Sequence, residues 1–203
     1  MVRQAQILFA LALTAGLSAW PNAGHAQSWA YTYNDAYLFS GLFPGEPMES
    51  TVDYVTESGA TIEAHRFSGR RGEGLYSITV VDFADHVDDM ENAVAHAAAS
   101  VRARGTPGYD EFAQLNGIPG HAISITEPDG RQTLSQMYLY ETRLYIAEGS
   151  EPAGVAPAAH FTQSLDIHHP DGTSVNLNPG GATTREEILE NRAREGAESP
   201  SEN

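Results

Sequence analysis

The chain has 203 residues and a formal net charge of −16, and all 11 of its basic side chains are arginine. Cysteine is absent, which excludes disulfides, thiolate nucleophiles and cysteine-ligated zinc or iron–sulfur sites. So acidic a surface repels phosphate backbones and anionic lipid headgroups, and neither nucleic acid nor a membrane surface is expected as a partner.

At the amino end, Arg3 is followed by an apolar run from Ile7 to Trp20 and a small-residue stretch ending Gly24-His25-Ala26. This is the pattern of a cleavable secretory signal over residues 1–26. The run falls short of the roughly 20 apolar residues that a membrane-spanning helix needs, and Gln27 stands where a bacterial lipid anchor requires cysteine. The expected product is periplasmic or secreted, with no membrane insertion once the signal is removed. It comprises a single α+β domain, residues 27–167, large enough for an ordinary core, and a disordered acidic tail, residues 168–203.

Along the domain, Tyr31 and Tyr33 alternate with polar neighbours, and Phe43-Pro44-Gly45-Glu46-Pro47 then stops any regular element. Strands are predicted over Ser50 to Thr56 and Thr61 to Phe67, joined by a turn at Glu57-Ser58-Gly59. Gly69 to Gly74 reads as a loose loop, and Leu75 to Phe83 as the strongest strand of this half. A helix is predicted from Asp88 to Arg104. Asp88 and Glu91 have capping-box spacing, Met90, Val94, Ala97, Ala98 and Val101 form a buried stripe, and Gly105 ends it.

The second half returns to strands: His121 to Glu127, then Gln132 to Tyr140 after Pro128-Asp129-Gly130, then Arg143 to Glu148. Gly149 to Pro157 reads as a connector. Pro157 opens a short helix whose Phe161 and Leu165 face the sheet. The expected architecture is an antiparallel β-sheet meander packed by one main helix and a short C-terminal helix.

Phe43-Pro44-Gly45, Asn116-Gly117-Ile118-Pro119-Gly120, Leu144-Tyr145 and Phe161-Thr162-Gln163-Ser164-Leu165 fall in an order that resembles the PsbP-like α/β/α sandwich superfamily, over roughly Leu38 to Ile167. That group holds small exported bacterial proteins and the extrinsic P subunit of the oxygen-evolving photosystem. The resemblance implies a scaffold that binds without chemistry of its own. The lysine-free composition departs from its members that dock on photosystem cores, which are basic adaptors.

Motifs for nucleophilic catalysis are missing: neither Gly-x-Ser-x-Gly nor Ser-x-x-Lys occurs. Ser164, Asp166 and His168 alternate, but side chains two apart on a strand run parallel instead of converging. Asp82, Asp85, His86, Asp88, Asp89 and Glu91 crowd the entry to the helix, where capping and dipole compensation account for them without a metal. His168, His169 and Asp171 are the alternative metal group, and His121 with a distant carboxylate is the acid–base pair that an unrecognised hydrolase would use.

Gly69, Gly72 and Gly74 around Arg70 and Arg71 lead into a strand instead of a helix, so a phosphate cradle is not expected. Arg66, Arg70 and Arg71 nevertheless form the local concentration of positive charge in an acidic molecule, suited to a carboxylate. They are the expected partner-binding residues, for a protein or a small molecule. No catalytic residue, metal or cofactor is expected. The function that follows is that of an exported binding or accessory protein.

Overall fold

The structure is a computed structural model that describes residues 28–156 and 158–178. Two antiparallel sheets stack on each other, and a helix covers the outer side of the larger one. The expected signal peptide and residues 179–203 of the expected tail lie outside the described residues.

The small sheet is built from β1 (Trp29–Asn34), β2 (Phe39–Pro44) and β10 (Asp166–Ile167), in the order β1-β2-β10. The large sheet contains β3 (Met48–Val55), β4 (Thr61–Arg71), β5 (Gly74–Asp82), β6 (Thr106–Leu115), β7 (Ile118–Thr126), β8 (Gln132–Tyr140) and β9 (Arg143–Glu151). Its order is β3-β4-β5-β9-β8-β7-β6, so two meanders meet where β5 pairs antiparallel with β9. Between them the chain crosses the sheet through a 3-10 turn at Val87–Asp89 and α1 (Ala93–Arg102). The second helix, α2 (Ala159–Thr162), lies on the opposite face, near β9 and β8.

Strand alternation divides the apolar residues between two cores. Ile62, Ala64, Val81, Ile123, Ile125, Met137 and Leu144 point from the large sheet toward Ala93, Ala97, Ala98 and Val101 of α1. The inner stripe of alanines lets the helix lie close to the strands. On the other face, Phe67, Tyr76, Ile78, Val80, Tyr138 and Tyr145 pack against Phe39 and Phe43 of the small sheet and Phe161 of α2. The chain is therefore α+β, with a mostly antiparallel sheet and two helices.

Several expectations are corrected by this arrangement. The first strands do not join the main meander: β2 takes β1 and β10 as partners, a pairing across more than a hundred residues. The loose loop over Gly69–Gly74 is a continuous hairpin, because β4 runs to Arg71, β5 begins at Gly74, and Gly72, with φ of 59°, supplies the left-handed first turn residue. The capping box does not form. Asp88 lies within the 3-10 turn Val87–Asp89, and α1 starts only after Asn92, whose side chain makes no cap. The compact region also extends past Ile167: His168 and Val175 are buried, and Val175 N donates to Ile167 O at 2.8 Å.

Candidate functional site

Helix α1 covers only part of the large sheet. Past its carboxyl end the same face continues as Met48 and Ser50 on β3, Arg66, Ser68 and Arg70 on β4, Leu75 and Ser77 on β5, and Glu148 and Ser150 on β9. The period of two that places Ile62 and Ala64 beneath the helix also places Arg66, Ser68 and Arg70 beyond it. The result is an open groove of about 770 Å³, walled also by Arg104 past the end of α1 and by Glu127 and Arg131 near the β7–β8 turn. A smaller space of about 170 Å³, reaching toward Ser100 of α1, shares Arg66, Ser77, Arg104 and Glu148 with it.

The four arginines of the groove differ in what already occupies them. Arg104 makes a bidentate pair with Glu148 at 3.0 and 2.5 Å, and Glu148 also accepts from Ser135 Oγ at 2.9 Å. Arg131 donates from Nε to Ser150 Oγ at 3.0 Å and from Nη2 to the carbonyls of Glu73 and Ser150, tying the β4–β5 turn to β9. Arg66 donates from Nε to Thr79 Oγ1 at 3.2 Å, and its terminal nitrogens make no hydrogen bond among the described residues. Neither Arg66 nor Arg70 forms a salt bridge among the described residues, whereas Arg102, Arg104 and Arg143 each do.

Of the three arginines singled out by sequence, the structure unites two. Arg66 and Arg70 share the groove, while Arg71 points to the other face and lies over the Trp29 ring, 5.8 Å from its centroid. Arg104, Arg131, Glu127 and Glu148 were not anticipated at this site. Their separation in sequence offers no local signal, although alternation through Arg66-Ser68-Arg70 marks the strand face.

The other constellations are dispersed or already committed. Ser164 Oγ donates to Phe161 O and accepts from Leu42 N, Asp166 accepts from Asn116 Nδ2 and Ser174 Oγ, and His168 Nε2 lies 2.7 Å from Ser40 Oγ. These three residues form no triad. Asp82 holds Arg143 and Thr142, and Asp171 caps Thr173. Among the described residues no three of His, Asp or Glu gather as a metal site.

His121 does find a carboxylate. Its Nε2 is 2.5 Å from Asp110 Oδ1, and Arg102 forks onto the same carboxylate at 2.7 and 2.9 Å. The pair links α1 to the edge strand β6, and it lines none of the cavities described. Arg102 and then His121 hold the Asp110 carboxyl down to about 2. Because the folded state binds this proton more weakly than an unfolded chain with its carboxyl near ~3.9, the contribution is present above that value. It disappears as pH falls toward about 2. Asp110→Asn is therefore expected to flatten the stability loss between pH 4 and 2 in circular-dichroism titrations; parallel curves for the two proteins would show that the pair contributes nothing.

Scans of the sequence against protein-family models and curated proteins return no match. Among solved structures, the solution structure of cyanobacterial PsbP (CyanoP) from Synechocystis sp. PCC 6803 is similar, at 12% identity over 67% of this chain and 86% of that chain, with a TM-score of 0.40. This is a weak resemblance at the level of the fold, and no functional residue is transferred through it. Among the described residues no helix is long and apolar enough to cross a membrane.

Proposed function

We propose that this is an exported, non-enzymatic binding protein of the PsbP-like sandwich type, and that it binds an anionic partner on the part of the large sheet left open by α1. One observation carries the reading. Arg66 and Arg70 stand on one wall of a groove without a carboxylate partner among the described residues, in a chain whose net charge is −16. Arg102, Arg104 and Arg143, by contrast, are each paired with a carboxylate. Two left open on one strand face supply both charge complementarity and a fork that matches a carboxylate.

Export is supported by the signal-like residues 1–26, and sequencing the amino terminus of the protein from the extracytoplasmic fraction tests it: a start near Gln27 is expected, and an intact Met1 in a cytoplasmic pool would overturn it. Binding is tested by crosslinking in intact cells. The Arg66→Ser, Arg70→Ser double variant is expected to lose at least about 90% of the captured species, from the worth of desolvated charge-assisted contacts, whereas Arg71→Ser retains it. Equal capture by the double variant and the parent would end the assignment of this surface.

A further inference from the structure

We propose that the groove takes a small polyhydroxylated monocarboxylate, of the sugar-acid class, an inference that rests on the reading of this groove as the binding surface. Its volume, about 770 Å³, falls within the roughly 300–1,000 Å³ typical of small-ligand sites. Pro44, Met48 and Leu75 supply apolar patches, but the strand face between them carries charged and hydroxyl side chains. A greasy ligand would strand those groups without partners.

The distribution of charge narrows the class further. Arg104 and Glu148 neutralise each other, and Arg131 is engaged with Ser150 and the Glu73 carbonyl. Arg66 and Arg70 remain as donors without carboxylate partners. Facing the same space are two acceptors, Glu46, which makes no side-chain hydrogen bond among the described residues, and Glu127, which accepts only Thr133 Oγ1 at 2.7 Å. Because Arg131 bonds only to neutral groups and keeps its charge, three positive groups face two negative ones, a surplus of one that a single carboxylate neutralises. A second negative charge on the ligand, as on a phosphate or a dicarboxylate, would be set against Glu46 and Glu127 instead of being welcomed.

A ligand that satisfies both sets carries one carboxylate for the arginines and several hydroxyls whose hydrogens the glutamates accept. Arg66 is prepared for the first role, because the bond from its Nε to Thr79 Oγ1 fixes the guanidinium and leaves its terminal nitrogens free for a bidentate contact. Ser77, opposite Ser68 on β4 and Glu148 on β9, has no side-chain hydrogen bond among the described residues and offers a hydroxyl on the groove floor. Arg70 lies four residues from Arg66, roughly 13 Å along the strand, a span that two long arginine side chains close around one sugar-sized molecule.

Titration calorimetry with sodium D-glucuronate, D-glucose, succinate and inorganic phosphate tests the inference on the full chain as it is secreted. Glucuronate is expected to bind at least about tenfold more tightly than the other three. Arg66→Ala should weaken glucuronate about tenfold or more and Glu46→Gln severalfold, with the melting temperature unchanged in Glu46→Gln and lowered by at most a few degrees in Arg66→Ala, which gives up the bond to Thr79 Oγ1. Succinate or phosphate binding as tightly as glucuronate would overturn the hydroxy-acid assignment, as would undiminished glucuronate binding by Arg66→Ala. Failure of all four probes would overturn it too. In that case loss of cellular capture in the Arg66, Arg70 double variant would still uphold the groove as a docking surface for another anionic species, such as an acidic peptide.

Discussion

Phe161→Ala is expected to lower the folding free energy by about 3–5 kcal/mol, the cost of removing a buried aromatic ring and leaving its cavity. The ring is fully buried and touches every layer on its side of the molecule. Its centroid is 5.2 Å from Phe43 of β2, 5.4 Å from Tyr76 of β5 and 6.4 Å from Trp29 of β1. Helix α2 is only one turn long and has no side-chain cap, so it cannot persist through its own backbone bonds and is held by this packing. Without the ring, the small sheet keeps only its direct contacts with β5, such as Trp29 on Tyr76 at 4.9 Å between ring centroids. A fall in melting temperature on the order of 10 °C is expected for a domain of this size. Phe112→Ala is the matched control, since Phe112 is 64% exposed on the edge strand β6 and its loss should change stability by less than about 0.5 kcal/mol. Equal melting of the two variants would mean that α2 does not join the layers.

Much of the large sheet was legible because its strands carry their instructions locally. β8 spans the predicted Gln132–Tyr140, and β9 begins at the predicted Arg143 but runs on to Glu151, where alternation continues into small residues that had suggested a connector. β6 was missed altogether. An edge strand needs neither two apolar faces nor a full set of paired backbone groups, and Pro107, Gly108 and a run of exposed residues conceal it. The signal that locates it is the pair Asn116-Gly117, whose φ values of 51° and 88° are those a tight hairpin demands. The small sheet was illegible for a different reason. Nothing local to Phe39 says that its partner is Ile167, because that pairing is decided by the apolar layer between the sheets.

The groove shows the same division. Arg66 and Arg70 stand out in the sequence as a concentration of charge, but ending the strand at Phe67 and placing Arg70 with Arg71 in a loop hides the alternation that sends Arg71 to the opposite face, onto Trp29. Glycines at 69, 72 and 74 suggested irregular structure, whereas only Gly72 adopts a left-handed conformation and the others accommodate close neighbours. The remaining walls come from the end of α1, the β7–β8 turn and β9, and only the folded sheet brings these together. The helix entry misled in a related way. Asp88 and Glu91 offer a local cap, yet Asp88 falls inside the 3-10 turn Val87–Asp89 and the helix starts only after Asn92.

Gly120→Ala is the second substitution expected to act strongly, and by overpacking. Gly120 on β7 pairs with Tyr138 on β8, and the buried Tyr138 ring lies across the glycine. A Cβ at this position would stand 2.3 Å from the Met137 carbonyl oxygen and 2.3 Å from the Tyr138 ring. The ring can swing only by breaking its contacts in the core, and the carbonyl belongs to the adjoining strand, so the backbone of β8 must move. The expected cost is about 3 kcal/mol, at the upper end of what overpacking brings, with faster amide exchange along β7 and β8. Shifting β8 also reaches the groove, because Thr133 at the far end of that strand holds Glu127 and Ser150. Gly108→Ala, whose new methyl would meet only the Ser124 hydroxyl at 3.3 Å on the edge strand, should melt within a few degrees of the parent. A Gly120→Ala protein that also melts there, with unchanged exchange, would show that β8 has room to yield and that the close approach of Tyr138 is not what fixes the register of this sheet.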